Sequence, residues 1–471
     1  MRPFIFIFTI GLFFALPAFS QSLLPGEVEL REGFDRDFII GKKSLPQVRL
    51  SFESYSSSSR PAYSRELYSS NALVKGSWRG HGFLSSGLKY QGELSALYSS
   101  GDEWIYPLVK EAYLEKGFSS GGLKLGVVNH QWSAFEEEWR LGLYRPRFMY
   151  NKLSGGQGGL FGAHFSSEGF SVGVLPVFIP EFGPHFNNSN GQIRSGNPWF
   201  GQLPKTLSYG GSDAPLKYDV VVPPLEKIVF KPGLVSSYEN RLNKNIYSRW
   251  SAAYKPIPQL LLNFPSDRRF ILGSEEQYFS VEVQPWVAYH GVVSMDQWIV
   301  TDDKSSSFRF SLAHEQPDVP SRPRTWVTQE IGPATFLSSR LETTLSSFWN
   351  SKVYLSQFKV WGGDRSDEGR YATDETFFET RQFYREAYGV GAETLWPGRW
   401  NFSSSVSFVF DLLQEGGVFS TKHSFSFRRD LSFFARADFL GLFTDSNPVP
   451  TGFLSRYRAN DRAEVGVNYV F

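Results

Sequence analysis

The feature that most constrains this chain is alternation. From residue 46 onward, apolar and polar side chains trade places residue by residue in stretch after stretch, and helical periodicity is hard to find. In 401–410, Phe402, Val406, Phe408 and Phe410 share a face with Ser404, while Asn401, Ser403, Ser405 and Ser407 take the other with Val409. In 307–313, Phe308, Phe310 and Leu312 oppose Arg309 and Ser311. In 88–96, Leu88, Tyr90, Leu94 and Ala96 oppose Lys89, Gln91, Glu93 and Ser95. The pattern returns at 48–52, 123–127, 170–174, 246–254, 279–287 and 423–428. A period of two is that of a β-strand with one greasy and one wet face. Composition agrees: Phe 44, Tyr 22 and Trp 13 make 17% of the chain, yet mean hydropathy is only −0.28. An exported, soluble β-sandwich shares that composition, so the fold must be decided by other features.

The N-terminus addresses the compartment. Arg2, an apolar run from Phe4 to Leu16, the breaker Pro17 and the small residues Ala18 and Ser20 predict a cleaved signal peptide over 1–20. Beyond it, no run approaches the ~20 apolar residues of a spanning helix. A short periplasmic segment is expected over 21–45, followed by one β unit over 46–471. Cys is absent, which excludes a disulfide framework, thiolate metal sites and a cysteine nucleophile. Net charge is +1, so no field points to nucleic acid.

Connections follow a second rhythm. Tight turns are expected at 119–122, 166–169, 255–258, 396–399 and 428–430, and long polar connections at 55–70, 129–158, 177–243, 361–382 and 444–461. Short turns at one end and long loops at the other suit an all-β, transmembrane, antiparallel up-and-down barrel. The expected strand number is 16, with 14 to 18 allowed, since 260–345 threads in more than one way.

The last ten residues sharpen this reading. Ala463, Val465, Val467, Tyr469 and Phe471 fall on one face, Arg462, Glu464, Gly466 and Asn468 on the other. This stretch resembles the terminal assembly strand of bacterial outer-membrane β-barrel proteins of the porin-like kind. The resemblance implies a place in the cell outer membrane, contact with lipid and lipopolysaccharide, and engagement of the barrel-assembly machinery through Val467, Tyr469 and Phe471. A homotrimer is an allowed assembly.

Function is expected from the lumen. Inward candidates are charged: Arg49, Lys89, Glu93, Arg249, Glu282, Arg309, Arg428, Arg436, Asp438, Arg462 and Glu464. A wall of mixed charge holds water and sets up a transverse field. By the up-down count, 129–158 is the third external loop, which in general porins folds inward and narrows the pore with carboxylates. Glu136, Glu137 and Glu138 are the candidates for that part, with Arg140, Arg145, Arg147 and the wall arginines Arg249, Arg309, Arg428 and Arg436 as partners. A solvated acidic loop tip accounts for the three glutamates equally well. The span 177–243, rich in Pro, carries Phe182, Phe186, Trp199 and Phe200 beside Asn187, Asn188, Asn190 and Gln192; it suits a lid, a plug or a sugar-stacking surface. The expected function is a porin-like channel for small polar solutes. The alternative is a barrel that binds surface polysaccharide, resembling the capsule-assembly family. A barrel hydrolase ranks below both: the seven His are scattered, no Ser/His/Asp spacing stands out, and no metal cluster, nucleotide fingerprint or cofactor motif is evident.

Overall fold

The computed structural model describes residues 44–56, 67–84, 87–201, 203, 205–209, 212–264, 278–319, 327–329, 331–345, 351–364, 379–396, 401–428, 430–443 and 452–471. The expected signal peptide and nearly all of the segment after it lie outside the described residues.

Eighteen strands form one closed antiparallel sheet. They are β1 Ser44–Tyr55, β2 Ser70–Phe83, β3 Lys89–Ser99, β4 Trp104–Phe118, β5 Gly121–Val128 and β6 Leu160–Ser167. Next come β7 Phe170–Leu175, β8 Gly233–Arg241, β9 Ile246–Pro256, β10 Tyr289–Val300, β11 Ser306–Asp318 and β12 Ile331–Leu345. The last six are β13 Ser351–Asp364, β14 Glu386–Trp396, β15 Phe402–Asp411, β16 Gly416–Ser426, β17 Leu431–Leu442 and β18 Arg462–Val470. Each pairs with its sequence neighbours, and β18 returns to β1 in register from Gln47↔Val470 to Tyr55↔Arg462. Closure leaves no open edge, so every strand can satisfy its backbone within the sheet.

Strand number is 18, above the favoured 16. One strand hid in the span expected as a loop over 177–243: β8 runs through it, pairing with β7 from Gly233↔Leu175 to Tyr238↔Phe170 and with β9 along its other edge. Its polar alternation (Ser236, Ser237, Glu239, Asn240) and the prolines before it mask it. The expected tight turn at 255–258 is also corrected, because Pro256 ends β9 and a long connection over 257–288 follows. That connection holds Phe279–Trp286, expected as a wall strand. It belongs instead to a five-stranded accessory sheet with Thr206–Tyr209, Ser212–Val220, Leu261–Phe264 and Val327–Thr328. Strands Ser212–Val220 and Phe279–Trp286 pair in parallel. Glu282, expected on the lumen wall, sits in this sheet.

The ends of the cylinder differ sharply. At one end the connections are 84–88, 119–120, 168–169, 242–245, 301–305, 346–350, 397–401 and 427–430, none longer than five residues. At the other lie 56–69, 129–159, 176–232, 257–288, 319–330, 365–385 and 443–461, with two short turns. The faces sort as the alternation requires. Leu50, Phe52, Leu125, Trp250, Leu355 and Val465 lie exposed on the outside, whereas Glu53, Ser51, Ser338 and Arg462 are buried within. Large apolar rings crowd both rims, with Phe83, Phe118 and Phe427 at the short-turn end and Trp361 and Phe443 at the loop end. An apolar band with aromatic borders is the exterior of a strand barrel that crosses hydrocarbon.

Candidate functional site

The loop 129–159 folds into the barrel rather than away from it, and its root shows why. Ser133 Oγ donates to Asp296 Oδ1 at 3.1 Å, and Ala134 N donates to Asp296 Oδ2 at 3.1 Å, so a carboxylate on wall strand β10 receives the start of helix α1, Ala134–Trp139. Unpaired helix amides need such acceptors. Past the helix the chain reverses through Arg140 at φ 53° and Gly142 at φ 65°. A Cβ on Gly142 would stand 2.8 Å from Arg147 Nε in a left-handed backbone that L side chains rarely adopt, so glycine suits this bend.

That reversal brings Tyr144 N (2.7 Å) and Arg145 N (2.9 Å) onto Glu136 Oε1. Glu136, a candidate for the pore, is fully buried and clamps the loop to itself. Burial pushes its carboxyl up, against the pull of Arg145. Glu137 is the member of the trio that meets water. It pairs with Arg145 Nη2 at 2.5 Å, and although burial works the other way, the guanidinium wins and holds this carboxyl below its usual value. Glu138 reaches the wall and pairs with Arg340 of β12 at 3.1 Å. The three adjacent carboxylates therefore do three different jobs.

Apolar packing seats the loop. Trp139 is buried, stacks on Phe358 of β13 (5.0 Å between centroids), meets Tyr384 edge-on and donates Nε1–H to Ser338 Oγ at 2.9 Å. Tyr144 Oη shares a hydrogen with Ser294 Oγ of β10 at 2.8 Å. Trp132, Phe135, Leu141 and Leu143 complete a core whose other side is the wall residues Val235, Ala253, Phe336 and Phe358. At the root, His130 Nε2 lies 3.0 Å from Ser237 Oγ. Burial pushes its imidazole down to about 3, helped by Arg249 and Lys124.

Three more connections meet this loop inside the mouth. Trp199, Phe383, Phe453 and Tyr457 form a second core against Tyr55, Val418 and Leu440 of the wall. Short helix α2 is Leu225–Val229, and α3, Phe453–Tyr457, delivers the last two rings of this core. Trp199, a candidate for ligand stacking, is wholly buried, with Nε1 donating to Tyr55 Oη at 3.1 Å, so it anchors its loop. Phe182 and Phe186 are exposed, and Phe186 lies 5.8 Å from Phe200. Phe182 also ties two loops together, its N donating to Arg147 O at 3.1 Å. The four aromatics do not form a single platform.

The candidate arginines scatter in role. Arg147 bridges loops, donating to Glu181 (2.8 Å) and to Arg381 O (2.9 Å). Arg140 donates to the carbonyls of Lys152 and Leu153, and burial pushes its guanidinium down to about 10. Arg249 pairs with Glu239 at 2.7 Å, Arg309 donates to Ala134 O at 3.4 Å, and Arg436 pairs with Asp438 and donates to Leu153 O. Arg428 is a correction: it is exposed in the short turn after β16, beyond the wall and far in register from the infolded loop.

Sequence reasoning missed Arg340, Arg381, Glu315 and His290, while the inward candidates Arg462, Asp438, Glu93 and Lys89 do lie on the inner wall. Arg340 lies directly across from Arg309 in the β11–β12 register, a pairing that parity would have revealed had 260–345 threaded uniquely. Arg381, from the connection 365–385, grips buried Glu315 at 2.9 Å, and His290 Nδ1 meets the same carboxylate at 2.5 Å. At the closing seam, Arg462 joins Glu53 (2.5 Å) and Asp438 (2.7 Å), all three buried. Below the loops the inner wall is charged and partly exposed: Arg79 and Lys110 share Glu93 at 2.5 and 3.4 Å, and Lys89 meets Glu115 at 3.3 Å. A register shift between Glu93 and Leu94 turns Lys110 inward to make that contact.

The arrangement thus has charged, partly exposed side chains on the inner wall at the short-turn end and, at the loop end, infolded loops that leave Glu137 exposed and bury most of the Glu138–Arg340 pair. Among the described residues no metal-binding cluster occurs. No protein-family model and no curated protein matches the chain. Among solved structures the chain is similar to mutants of Rh. blastica porin. For one, identity is 10% over 91% of this chain and 99% of that chain, with a TM-score of 0.39. For another, identity is 9% over the same shares, with a TM-score of 0.37. A triple mutant of the Rhodopseudomonas blastica porin gives 10%, 91%, 99% and 0.36. Closure and strand number rest on the chain's own pairing and not on this likeness.

Proposed function

We propose that the protein is an outer-membrane channel for small polar solutes whose passage is restricted by the infolded loop 129–159. One observation carries the reading: the loop lies inside a charged barrel, where Glu138 pairs with wall Arg340 and exposed Glu137, held by Arg145, lies in the field of wall Arg309. Opposed rows of charge across a narrow aqueous path orient polar solutes and exclude apolar ones. In this reading the chain is exported by the segment 1–20, assembled through Val467, Tyr469 and Phe471, and surrounded by lipid and lipopolysaccharide. A homotrimer is compatible with it, and no catalysis is involved. Planar-bilayer recording of the purified protein tests it: small stepwise openings that added polar solutes reduce are expected, and a silent bilayer at high protein input refutes it.

A second reading has its own support. The accessory sheet, with an apolar core of Leu216, Tyr218, Phe264 and Val283, builds a folded platform from connections at the loop end. A platform of this kind suits a surface that holds exported polysaccharide. Glycan-array binding together with a silent bilayer would favour it over the channel.

A further inference from the structure

We infer that the segment 220–231 is an interfacial anchor that lies in the lipid leaflet at the loop end of the barrel. It joins accessory strand Ser212–Val220 to wall strand β8 and contains helix α2, none of whose residues is buried. Its large apolar side chains face outward: Val222 is 78% exposed, Leu225 71% and Phe230 66%. These exceed Leu234 at 50%, which lies on the lipid-facing side of β8 just below. Side chains this greasy are costly to hold in water, and here they are held outward by the chain itself. Pro223, Pro224 and Pro232 stiffen the segment. Val221 N donates to Val283 O at 3.0 Å and Phe178 N to Val229 O at 2.8 Å, pinning it to the sheet and to the rim.

Continuity identifies the partner. Along the chain, the apolar exterior of β7, β8 and β9 (Val174, Leu234, Tyr254) is preceded four residues before Leu234 by exposed Phe230, and before that by exposed Leu225 and Val222, with exposed Glu226 and Lys227 among them. Lysines beside apolar rings match a phosphate-bearing headgroup layer above hydrocarbon. The turn 301–305 at the opposite end shows the contrast: Asp302, Asp303, Lys304 and Ser305 offer water only polar groups.

The absence of cysteine allows a clean test. Leu225→Cys and Phe230→Cys, each nitroxide-labelled in the full chain, are reconstituted in phosphatidylcholine–phosphatidylglycerol vesicles. Leu234→Cys serves as the strand control and Asp303→Cys as the water control. Collision with oxygen exceeding collision with a water-soluble nickel chelate at 225 and 230, as at 234, is the expected result. Chelate access at 225 and 230 like that at 303 overturns the anchor. Shielding from both probes overturns it in favour of a protein neighbour such as a second copy. Chelate access at 234 as well removes the embedded barrel and the anchor with it.

Discussion

Replacing Trp139 with alanine tests whether the infolded loop restricts the lumen. The indole is buried, stacked on Phe358 at 5.0 Å and bonded to Ser338 at 2.9 Å, with no backbone ladder passing through it. Losing a buried ring of this size and leaving a cavity costs about 3–5 kcal/mol. That cost falls on the seated loop and spares the barrel, whose strands keep every backbone bond. At ~1.4 kcal/mol per decade, the balance between seated and released loop shifts by about a thousandfold. Single-channel recording reads this directly as longer or larger openings in Trp139→Ala than in the native chain. Trp139→Phe keeps one stacked ring but loses the N–H bond, about 1 kcal/mol, and part of the buried ring volume, and is expected to fall between the two. Conductance and dwell times in Trp139→Ala that match the native protein would refute the reasoning, because a released loop must widen whatever path it narrows.

Other expectations follow from the same contacts. Arg462→Met leaves Glu53 and Asp438 buried without their shared cation, a loss of about 3–5 kcal/mol; urea unfolding in detergent should show a lower midpoint, and an unchanged midpoint contradicts it. His130, held neutral with its value near 3, stabilises the seated loop fully above about 6.5, the unfolded value. As pH falls from there towards 3 that contribution is lost, about 2 kcal/mol by pH 4.5 for a partly buried ring. Channel noise should therefore rise in acid for the native chain and rise less for His130→Gln, and equal pH profiles would count against it. Removing 180–229 while sparing β8 should raise conductance, and no change would strip that connection of any lid role.

How far the sequence could be read depended on whether one side chain sufficed to set a position. Strand faces needed only parity: Arg462 and Glu464 point inward, Val465 and Tyr469 outward, as alternation requires. The up-down count made loop 129–159 the third external loop, but only the resemblance to porins pointed it inward, and a solvated tip explained its glutamates equally well. The roles of its residues were not legible, because Glu136 turns on itself only after the bend at Arg140 and Gly142, a backbone event that no spacing announces. β8 escaped because short polar strands between prolines look like loop. Trp199 and Arg381 owe their roles to wall residues far away in sequence, Tyr55 and Glu315, and contacts at that separation leave no local pattern.

The seam at Arg462 has a consequence for the order of events during biogenesis. Its partner Glu53 lies 409 positions earlier, so the opening segment must wait for the whole polypeptide before its carboxylate is neutralised. Until then it carries an unmatched negative charge that disfavours premature entry into the bilayer. Arrival of the final hairpin supplies Arg462 together with the Asp438–Arg436 pair, so sealing and charge cancellation coincide. A chain stalled before that hairpin would hold its first strand back at the membrane surface.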